Sequence, residues 1–350
     1  MSFSAILINW YIKNKRNLPW RNTSDPYKIW LSEIILQQTR VEQGLPYYLK
    51  FIEKYPDVKK LAKADEDEIL KLWQGLGYYS RARNLHFTAK EIAIKHKGNF
   101  PSNYCEIRAL KGIGDYTAAA IASFAYNLPH AVVDGNVMRV LSRYLGINEA
   151  IDSSKGKKML AEAAQELLDV NNPAIYNQAI MEFGATFCVP AKPDCEKCPF
   201  NDSCEAFRLN KVNDLPFKAK KTKITQRYFH YFILDYKGKT YLNKRKAGDI
   251  WQGLYEFPMH EAKSHLEFDT LLNMQLLFIN EVKDLNIRLI KTSSTKKHIL
   301  SHQHIFAQFF HIHLNKPLKN KLFSEIPFEK LNNYALPRLI HRYLEEEKLL

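Results

Sequence analysis

Leu110-Lys111-Gly112-Ile113-Gly114-Asp115-Tyr116-Thr117-Ala118-Ala119-Ala120 is the stretch on which the fold of the first half of this 350-residue chain turns. Two glycines flank one apolar residue, which suits a tight hairpin, and Ala118 to Ala120 then open a helix able to pack closely on a neighbour. The pattern is that of a helix–hairpin–helix. Such a hairpin presents successive backbone N–H groups around Gly112 and Gly114 at a helix N-terminus, where the helix dipole favours an anion such as a DNA phosphate. Glycines in a plain helix–helix corner read the same way, so the surrounding sequence has to decide.

Outward from the hairpin, residues 1 to about 187 are a succession of helical patterns with short Gly, Pro and Asn punctuation. Ile6, Leu7, Trp10 and Tyr11 recur at helical spacing. Ile29, Trp30, Glu33, Ile34 and Gln37 share one helical face behind a start at Asp25-Pro26. Leu61 to Trp73 predicts another helix, stopped by Gly75 and Gly77. Val137, Val140, Leu141, Tyr144 and Leu145 form a further apolar stripe ended by Gly146. With β-branched alternation almost absent, this half is all-α. Residues 206–224 carry a proline, five lysines and few large apolar residues, a composition that suits a solvated linker. Beyond it the period becomes two. Arg227–Asp235 and Lys239–Arg245, joined through Lys237-Gly238, read as a β-hairpin, and His304–His313 as a further strand. Leu266–Phe278 and Pro337–Leu349 look helical, so the second domain is α+β.

The whole chain is 46% hydrophobic and 25% charged, a globular composition, and at this length more than one domain is expected. No apolar run is long enough to span a bilayer. The amino-terminal stretch has no basic region ahead of its apolar residues and no small-residue cleavage site, so it reads as an amphipathic helix and not a signal peptide. The expectation is a soluble, cytoplasmic protein. The net charge is +14, of which residues 211–350 carry +10, and a polyanion is the natural partner.

Four of the five cysteines, Cys188, Cys195, Cys198 and Cys204, fall within seventeen residues at the spacing C-x6-C-x2-C-x5-C. Thiolates this close in a cysteine-poor chain are metal ligands more readily than two disulfides. No histidine intervenes, so the ligand set is all sulfur, which suits zinc or an iron–sulfur cluster alike.

Two carboxylates stand out for chemistry. Glu33 sits in Trp30-Leu31-Ser32-Glu33-Ile34-Ile35-Leu36-Gln37-Gln38-Thr39-Arg40, where apolar neighbours disfavour its charged form and so keep an acid protonated near neutral pH. Asp134, in Val132-Val133-Asp134-Gly135-Asn136, precedes a helix, a place where aspartate is also an ordinary N-cap.

Five blocks taken in order resemble the MutY family of adenine DNA glycosylases, within the endonuclease III-like superfamily. They are Ser32-Glu33 with Leu36–Thr39, Trp73–Arg81, the Gly112–Tyr116 hairpin, Val133–Asn136 and the four cysteines, and together they span residues 1 to about 210. The resemblance implies a helix–hairpin–helix glycosylase domain over residues 1–205, with the hairpin at 110–120 and a cluster loop at 188–204 holding one 4Fe–4S cluster. It implies Glu33 as the acid that protonates adenine N7 and Asp134 as the carboxylate that stabilises the sugar cation. Tyr116 would hold the acid and sugar in register, and Asn136 would fix Asp134. Gln38, Thr39 and Arg40, with Leu76 and Tyr78, are implied DNA contacts, Tyr78 as an intercalating ring. Bifunctional members carry a Schiff-base lysine where this chain has Tyr116, so a monofunctional enzyme is expected.

Residues 225–350 resemble the family's Nudix-like domain that recognises 8-oxoguanine, on Trp251–Pro258 and His298–His302. No Nudix catalytic helix is present in the sequence between His260 and Asn280. Where the family reads the lesion with Phe-Ser-His, this chain has Leu300-Ser301-His302, leaving Ser301 and His302 as its lesion contacts. The implied partner is double-stranded DNA carrying adenine opposite 8-oxoguanine, bound by a monomer with nucleoid-associated activity. The alternatives are another mismatch glycosylase, an endonuclease III-like enzyme, or a non-catalytic iron–sulfur DNA-binding protein.

Overall fold

The structure is a computed structural model that describes residues 2–219, 223–274 and 287–350. The helices are α1 (Phe3–Asn14), α2 (Pro26–Leu36), α3 (Val41–Lys54), α4 (Val58–Lys63), α5 (Glu66–Leu72), α6 (Ser80–Lys95), α7 (Tyr104–Ala109), α8 (Asp115–Tyr126), α9 (Gly135–Tyr144), α10 (Ser154–Glu166), α11 (Pro173–Thr186), α12 (Glu205–Arg208), α13 (Phe268–Asn273) and α14 (Arg338–Glu346). The strands are β1 (Thr225–Asp235), β2 (Lys239–Lys244), β3 (Tyr255–Glu256), β4 (Met259–Ala262), β5 (Arg288–Thr292), β6 (Lys296–Ile299), β7 (Gln303–His313) and β8 (Ser324–Pro327). The chain divides into two compact units, residues 1–63 with 84–220, and residues 64–83 with 221–350. The short segment 64–83, which the sequence places inside the helical domain, therefore groups with the C-terminal residues.

In the first unit α2 is the central helix. Asp25 caps it by accepting from the N–H of Tyr27 at 2.9 Å, Pro26 fills its first turn, and every residue from Ile29 to Ile35 is buried. A helix apolar all round belongs in a core, so the single face expected for Glu33 is instead a fully enclosed environment. Against it pack α3 and α8. A second cluster gathers Phe3, Leu7 and Tyr11 of α1 with Val137, Val140 and Leu141 of α9 and Tyr176, Ile180 and Phe183 of α11. Phe200 of the cysteine loop joins it, stacking on Phe3 with ring centroids 4.7 Å apart.

The single helix expected over Leu61–Trp73 is two helices. Asp65 breaks it: its carboxylate accepts from the N–H of Asp67 at 2.7 Å, an N-cap that starts α5 anew. The expected linker is also less solvated than its composition suggests. The N–H of Ile151 donates to the Phe217 carbonyl at 2.9 Å, Arg143 Nε donates to that of Leu215 at 3.0 Å, and Leu215 is buried. Residues 205–219 thus dock on the helical unit.

In the second unit a five-stranded sheet has the order β4-β1-β7-β5, with β6 also on β7, and a three-stranded sheet has the order β3-β2-β8. The β-hairpin expected from β1 and β2 does not form a ladder. Only a bridge between Tyr236 and Lys239 joins them, because β1 is already paired parallel to β7 over its whole length and antiparallel to β4. Lys237 and Gly238 turn the chain with positive φ into the second sheet, where β2 pairs with β3 and β8. The core between sheet and α14 holds Phe229, Tyr231, Phe309, Leu339 and Tyr343. Of the helix expected over Leu266–Phe278, α13 supplies Phe268–Asn273; residues 275–278 lie outside the described residues.

Candidate active site

Glu33 lies on the last turns of α2 with 6% of its surface exposed. Its Oε2 accepts a hydrogen bond of 2.6 Å from the Tyr116 hydroxyl, which α8 presents from its first turn, directly after the hairpin. Burial pushes the Glu33 carboxyl up to about 7, and the nearby Asp134 charge adds to the rise. The Tyr116 bond and the Arg21 guanidinium pull the other way. Burial also drives the Tyr116 phenol well above its usual range, so the ring keeps its proton and stays a donor.

Asp134 is the N-cap of α9, the structural role its sequence context allows, and it faces the same cavity. Its Oδ1 accepts from the N–H of Val137 at 2.8 Å and its Oδ2 from Asn136 Nδ2 at 2.9 Å. Burial raises this carboxyl too, but those hydrogen bonds hold it back. The two carboxyls therefore differ: one buried with a single phenol partner, the other satisfied by two N–H donors.

Both line a cavity of about 600 Å3 whose wall also includes Tyr116, Asn136, Gln38, Thr39 and Arg40. That volume is in the range of pockets that enclose a small ligand, roughly 300–1,000 Å3. Gln38 follows the end of α2 at φ 54°, a left-handed turn that leads the chain along the cavity wall into α3. No lysine lines the cavity among the described residues.

The cavity holds more than the sequence reading found. Arg16, Trp20, Arg21, Gln178 and Glu182 are in its wall. Tyr11 donates to Gln178 Oε1 at 2.7 Å. The signal for Glu182 was the same as for Glu33, a lone carboxylate in the apolar helix α11. The arginines gave none, because their partner lies in a distant helix.

A buried arginine connects this cavity to the cysteine loop. Arg139 donates through Nη2 to Asn136 Oδ1 at 2.9 Å and to the Gly184 carbonyl, and through Nε to the Cys188 carbonyl at 2.8 Å. Gly184 is required by close approach: a Cβ there would sit 2.8 Å from Asn136 Cβ. None of the four loop cysteines is in a disulfide. Burial pushes the Cys198 thiol up to about 12, and the other three cysteines add to the rise. Neighbouring cysteine charges also raise Cys195 and Cys204, so the loop sulfurs lie near one another, and their thiolates call for a compensating cation such as a soft metal centre. Among the described residues no set of three or more Cys, His, Asp or Glu side chains stands in coordinating geometry. Arg143 donates to the Cys188 sulfur at 3.5 Å and to the Val189 carbonyl at 2.8 Å, bracing the loop.

The hairpin is formed as read. Gly112 turns at φ 79°, where a Cβ would meet Asn84 at 2.8 Å, and Gly114 caps α8 with open space around its Cα. It does not line the cavity. Leu76, Tyr78, Ser301 and His302 belong to the second unit. There Leu76 is buried, which withdraws it from the surface, whereas Tyr78 is half exposed at φ 46°. The Tyr78 and Ser301 hydroxyls hydrogen-bond each other. Ser301 and His302 are exposed at the β6–β7 turn, and Leu300 packs against the sheet core instead of standing free.

Residues 31–169 match the family model of the HhH-GPD superfamily base excision DNA repair proteins, and residues 230–346 match that of the NUDIX domain. A helical repair-enzyme fold followed by a Nudix-like domain is thus the class this architecture defines. The chain is 37% identical to the adenine DNA glycosylase of Buchnera aphidicola subsp. Baizongia pistaciae over 90% of its own length and 87% of that relative's. It is 40% identical to the human adenine DNA glycosylase, over 59% of this chain and 39% of the human one. Among solved structures, a thermostable thymine-DNA glycosylase superposes with a TM-score of 0.55 at 32% identity, over 59% of this chain and 95% of that one. An endonuclease III–DNA complex shares the fold with a TM-score of 0.51 at 20% identity, over 59% of this chain and 94% of that one. The chain belongs to the adenine DNA glycosylase family.

Proposed function

We propose that this protein is a monofunctional glycosylase that removes adenine mispaired with 8-oxoguanine or guanine in double-stranded DNA. The observation that carries the reading is a single cavity lined by Glu33, pushed up to about 7 and hydrogen-bonded to Tyr116, and by the hydrogen-bonded Asp134. A target adenine leaves the duplex at a cost of a few kcal/mol, on the order of that for base flipping in general. Glu33 gives its proton to adenine N7, and the C1′–N9 bond breaks with its electron pair leaving on the base. The Asp134 carboxylate stabilises the oxocarbenium-like sugar, as carboxylates do in sugar hydrolysis. Water then adds to C1′ and returns a proton to Glu33, giving free adenine and an abasic site. Tyr116 in place of an imine-forming lysine, and a cavity without lysine, support hydrolysis without strand cleavage.

The second unit supplies the choice of mispair. The Ser301 hydroxyl would hydrogen-bond the C8 oxygen or N7 proton that separates 8-oxoguanine from guanine, His302 would contact lesion or phosphate, and the exposed Tyr78 ring would replace a lost stacking partner. Leu300, half-buried against the sheet core, provides no ring for stacking. Gln38, Thr39 and Arg40 in the cavity wall and the hairpin glycines Gly112 and Gly114 would hold the backbone of the flipped strand. Cys188, Cys195, Cys198 and Cys204 would hold one 4Fe–4S cluster; when bound it supplies a redox-capable staple for the loop, and no step of the hydrolysis passes through it. We place the functional domains at 1–205 and 225–350 with a connector at 206–224. The enzyme would act as a monomer on DNA in a bacterial-type cytoplasm.

The test is a panel of duplexes with adenine opposite 8-oxoguanine, guanine, cytosine or thymine, incubated with protein and treated with hot alkali. Strand cleavage at the adenine is expected to be fastest opposite 8-oxoguanine and absent with Glu33→Gln. No alkali-labile site, or full activity in that variant, would refute the reading. A duplex with thymine opposite guanine belongs in the panel, because the likeness to a thymine-DNA glycosylase favours that second target.

A further inference from the structure

Glu182 is the most completely satisfied charge in the active cavity, and the reaction above makes no use of it. It lies on α11 with its side chain fully buried, and its carboxyl is held down to about 2. Its Oε1 accepts from the backbone N–H of Arg16 at 2.9 Å and from Arg16 Nε at 2.8 Å. Its Oε2 accepts from Arg16 Nη2 at 2.8 Å and from Arg21 Nη2 at 2.6 Å. Arg21 is itself only 13% exposed and gives Nη1 to the Arg16 carbonyl at 3.1 Å. Two guanidiniums and one carboxylate thus form a clamp of net charge +1 in the wall that also carries Glu33.

A buried ion pair of this kind adds little stability over well-packed apolar residues. Its placement in the cavity wall calls for another account. Arg21 stands on the 3-10 turn Pro19–Arg21, which packs against α2, and its charge reaches Glu33. A guanidinium free to approach Glu33 would favour the carboxylate and so remove the proton that must reach the base. We propose that Glu182 is a positioning residue for the acid: as a buried counter-ion it locks Arg21 and Arg16 onto the cavity wall and keeps their charge from closing on Glu33. The inference rests on the reading of Glu33 as the acid and extends it by naming what keeps the acid's neighbour occupied.

The other groups facing Glu33 leave this role to Glu182. From α8 comes Tyr116, which is neutral and donates to the carboxyl, and from the cap of α9 comes Asp134, a negative charge that favours the protonated acid. From the α3 side Arg40 stands in the cavity wall, and the Glu42 charge acts on Arg16. Among the described residues, Arg21 of the 3-10 turn is the positive charge that pulls the Glu33 carboxyl down.

The experiment is the pH profile of single-turnover adenine excision by the full-length holoenzyme from about pH 5.5 to pH 9, for wild type, Glu182→Gln, Arg21→Gln and the double variant. An opposite charge lowers a neighbouring carboxyl by on the order of one pH unit or more. Glu182→Gln is therefore expected to move the alkaline limb down by about one pH unit, cutting the rate about tenfold at pH 8 and little at pH 6. The double variant is expected to bring the limb back to the wild-type position or above it. An equal slowing at every pH, or a limb the double variant fails to restore, overturns the proposal. If Glu182→Gln does not fold, Arg21→Gln alone decides: its limb is expected to rise, and a limb that stays or falls overturns the role. Glu33→Gln separates the two readings. Retained activity there removes the acid itself, whereas an inactive Glu33→Gln with an unmoved Glu182→Gln limb removes only the role of Glu182.

Discussion

Replacing Glu33 by Gln is expected to destroy excision and to stabilise the protein at the same time. Glu33 is buried, and its carboxyl is raised from an ordinary 4.5 to about 7. A carboxyl that binds its proton more tightly folded than unfolded costs nothing below about pH 4.5, where both states are protonated. The cost grows as pH rises from 4.5 and is complete above 7. At about 1.4 kcal/mol for each pH unit of displacement, the folded state carries roughly 3 kcal/mol of penalty at pH 8. A neutral glutamine escapes it, and its amide oxygen can still accept from Tyr116. Calorimetry of wild type and variant should therefore show the transition of the helical unit raised by on the order of 5–10 °C at pH 8, with little difference at pH 4.5. Excision should fall by about 10²-fold or more, the usual worth of a general acid. Equal stability differences at both pH values would refute the argument, since the pH dependence and not the size of the gain identifies a buried acid.

Asp134→Asn is expected to leave stability within about 1 kcal/mol, because asparagine caps a helix as well as aspartate. Excision should fall by about 10²-fold or more with the loss of the charge; single-turnover rates and thermal melts of one preparation separate the two roles. Gly184→Ala brings a methyl group against Asn136 and must push the start of α9 aside. The expected result is roughly 1–3 kcal/mol of lost stability and a fall in excision, and normal activity would show that α9 is free to shift. Ser301→Ala is expected to cut the preference for adenine opposite 8-oxoguanine over adenine opposite guanine by roughly tenfold. The rate opposite guanine should be unchanged when the two duplexes are compared at saturating enzyme. Cys198→Ala should remove visible absorbance and bound iron from the purified protein, and a variant that keeps both would displace the assignment of the cluster.

The features legible in the sequence share one physical property: their cause is local. The hairpin is visible because Gly112 takes a positive φ that other residues resist. Glu33 is visible because seven consecutive residues around it are buried and the apolar pattern says so. The misreadings arise where a distant partner decides. β1 and β2 look like a hairpin because neighbouring strands usually pair, yet β7 occupies the edge that β2 would need. Arg16 and Arg21 of the clamp leave no local mark, since their partner Glu182 comes from the opposite end of the helical unit. Leu76 illustrates a third case. The family resemblance implies a DNA contact at Leu76, but Leu76 is buried and the Arg81 guanidinium binds its carbonyl at 3.1 Å, leaving Tyr78 as the exposed side chain.

Asp67 accepts from Tyr255 at 2.7 Å, and Lys71 reaches the Asn332 side chain and the Tyr334 carbonyl at 3.2 and 3.3 Å. Arg83 donates to the Gln252 carbonyl at 2.6 Å. The unit of inheritance and the unit of mechanics therefore have different borders in this chain. A gene cut at the connector would yield a helical fragment with every residue of the proposed excision chemistry but with residues 64–83 stripped of these partners. A fall in the proposed mispair preference of such a fragment would then have two sources, the missing β-rich part and a Tyr78 loop released from its support. Grafting the β-rich part onto another helical glycosylase would fail for the same reason unless residues 64–83 travelled with it.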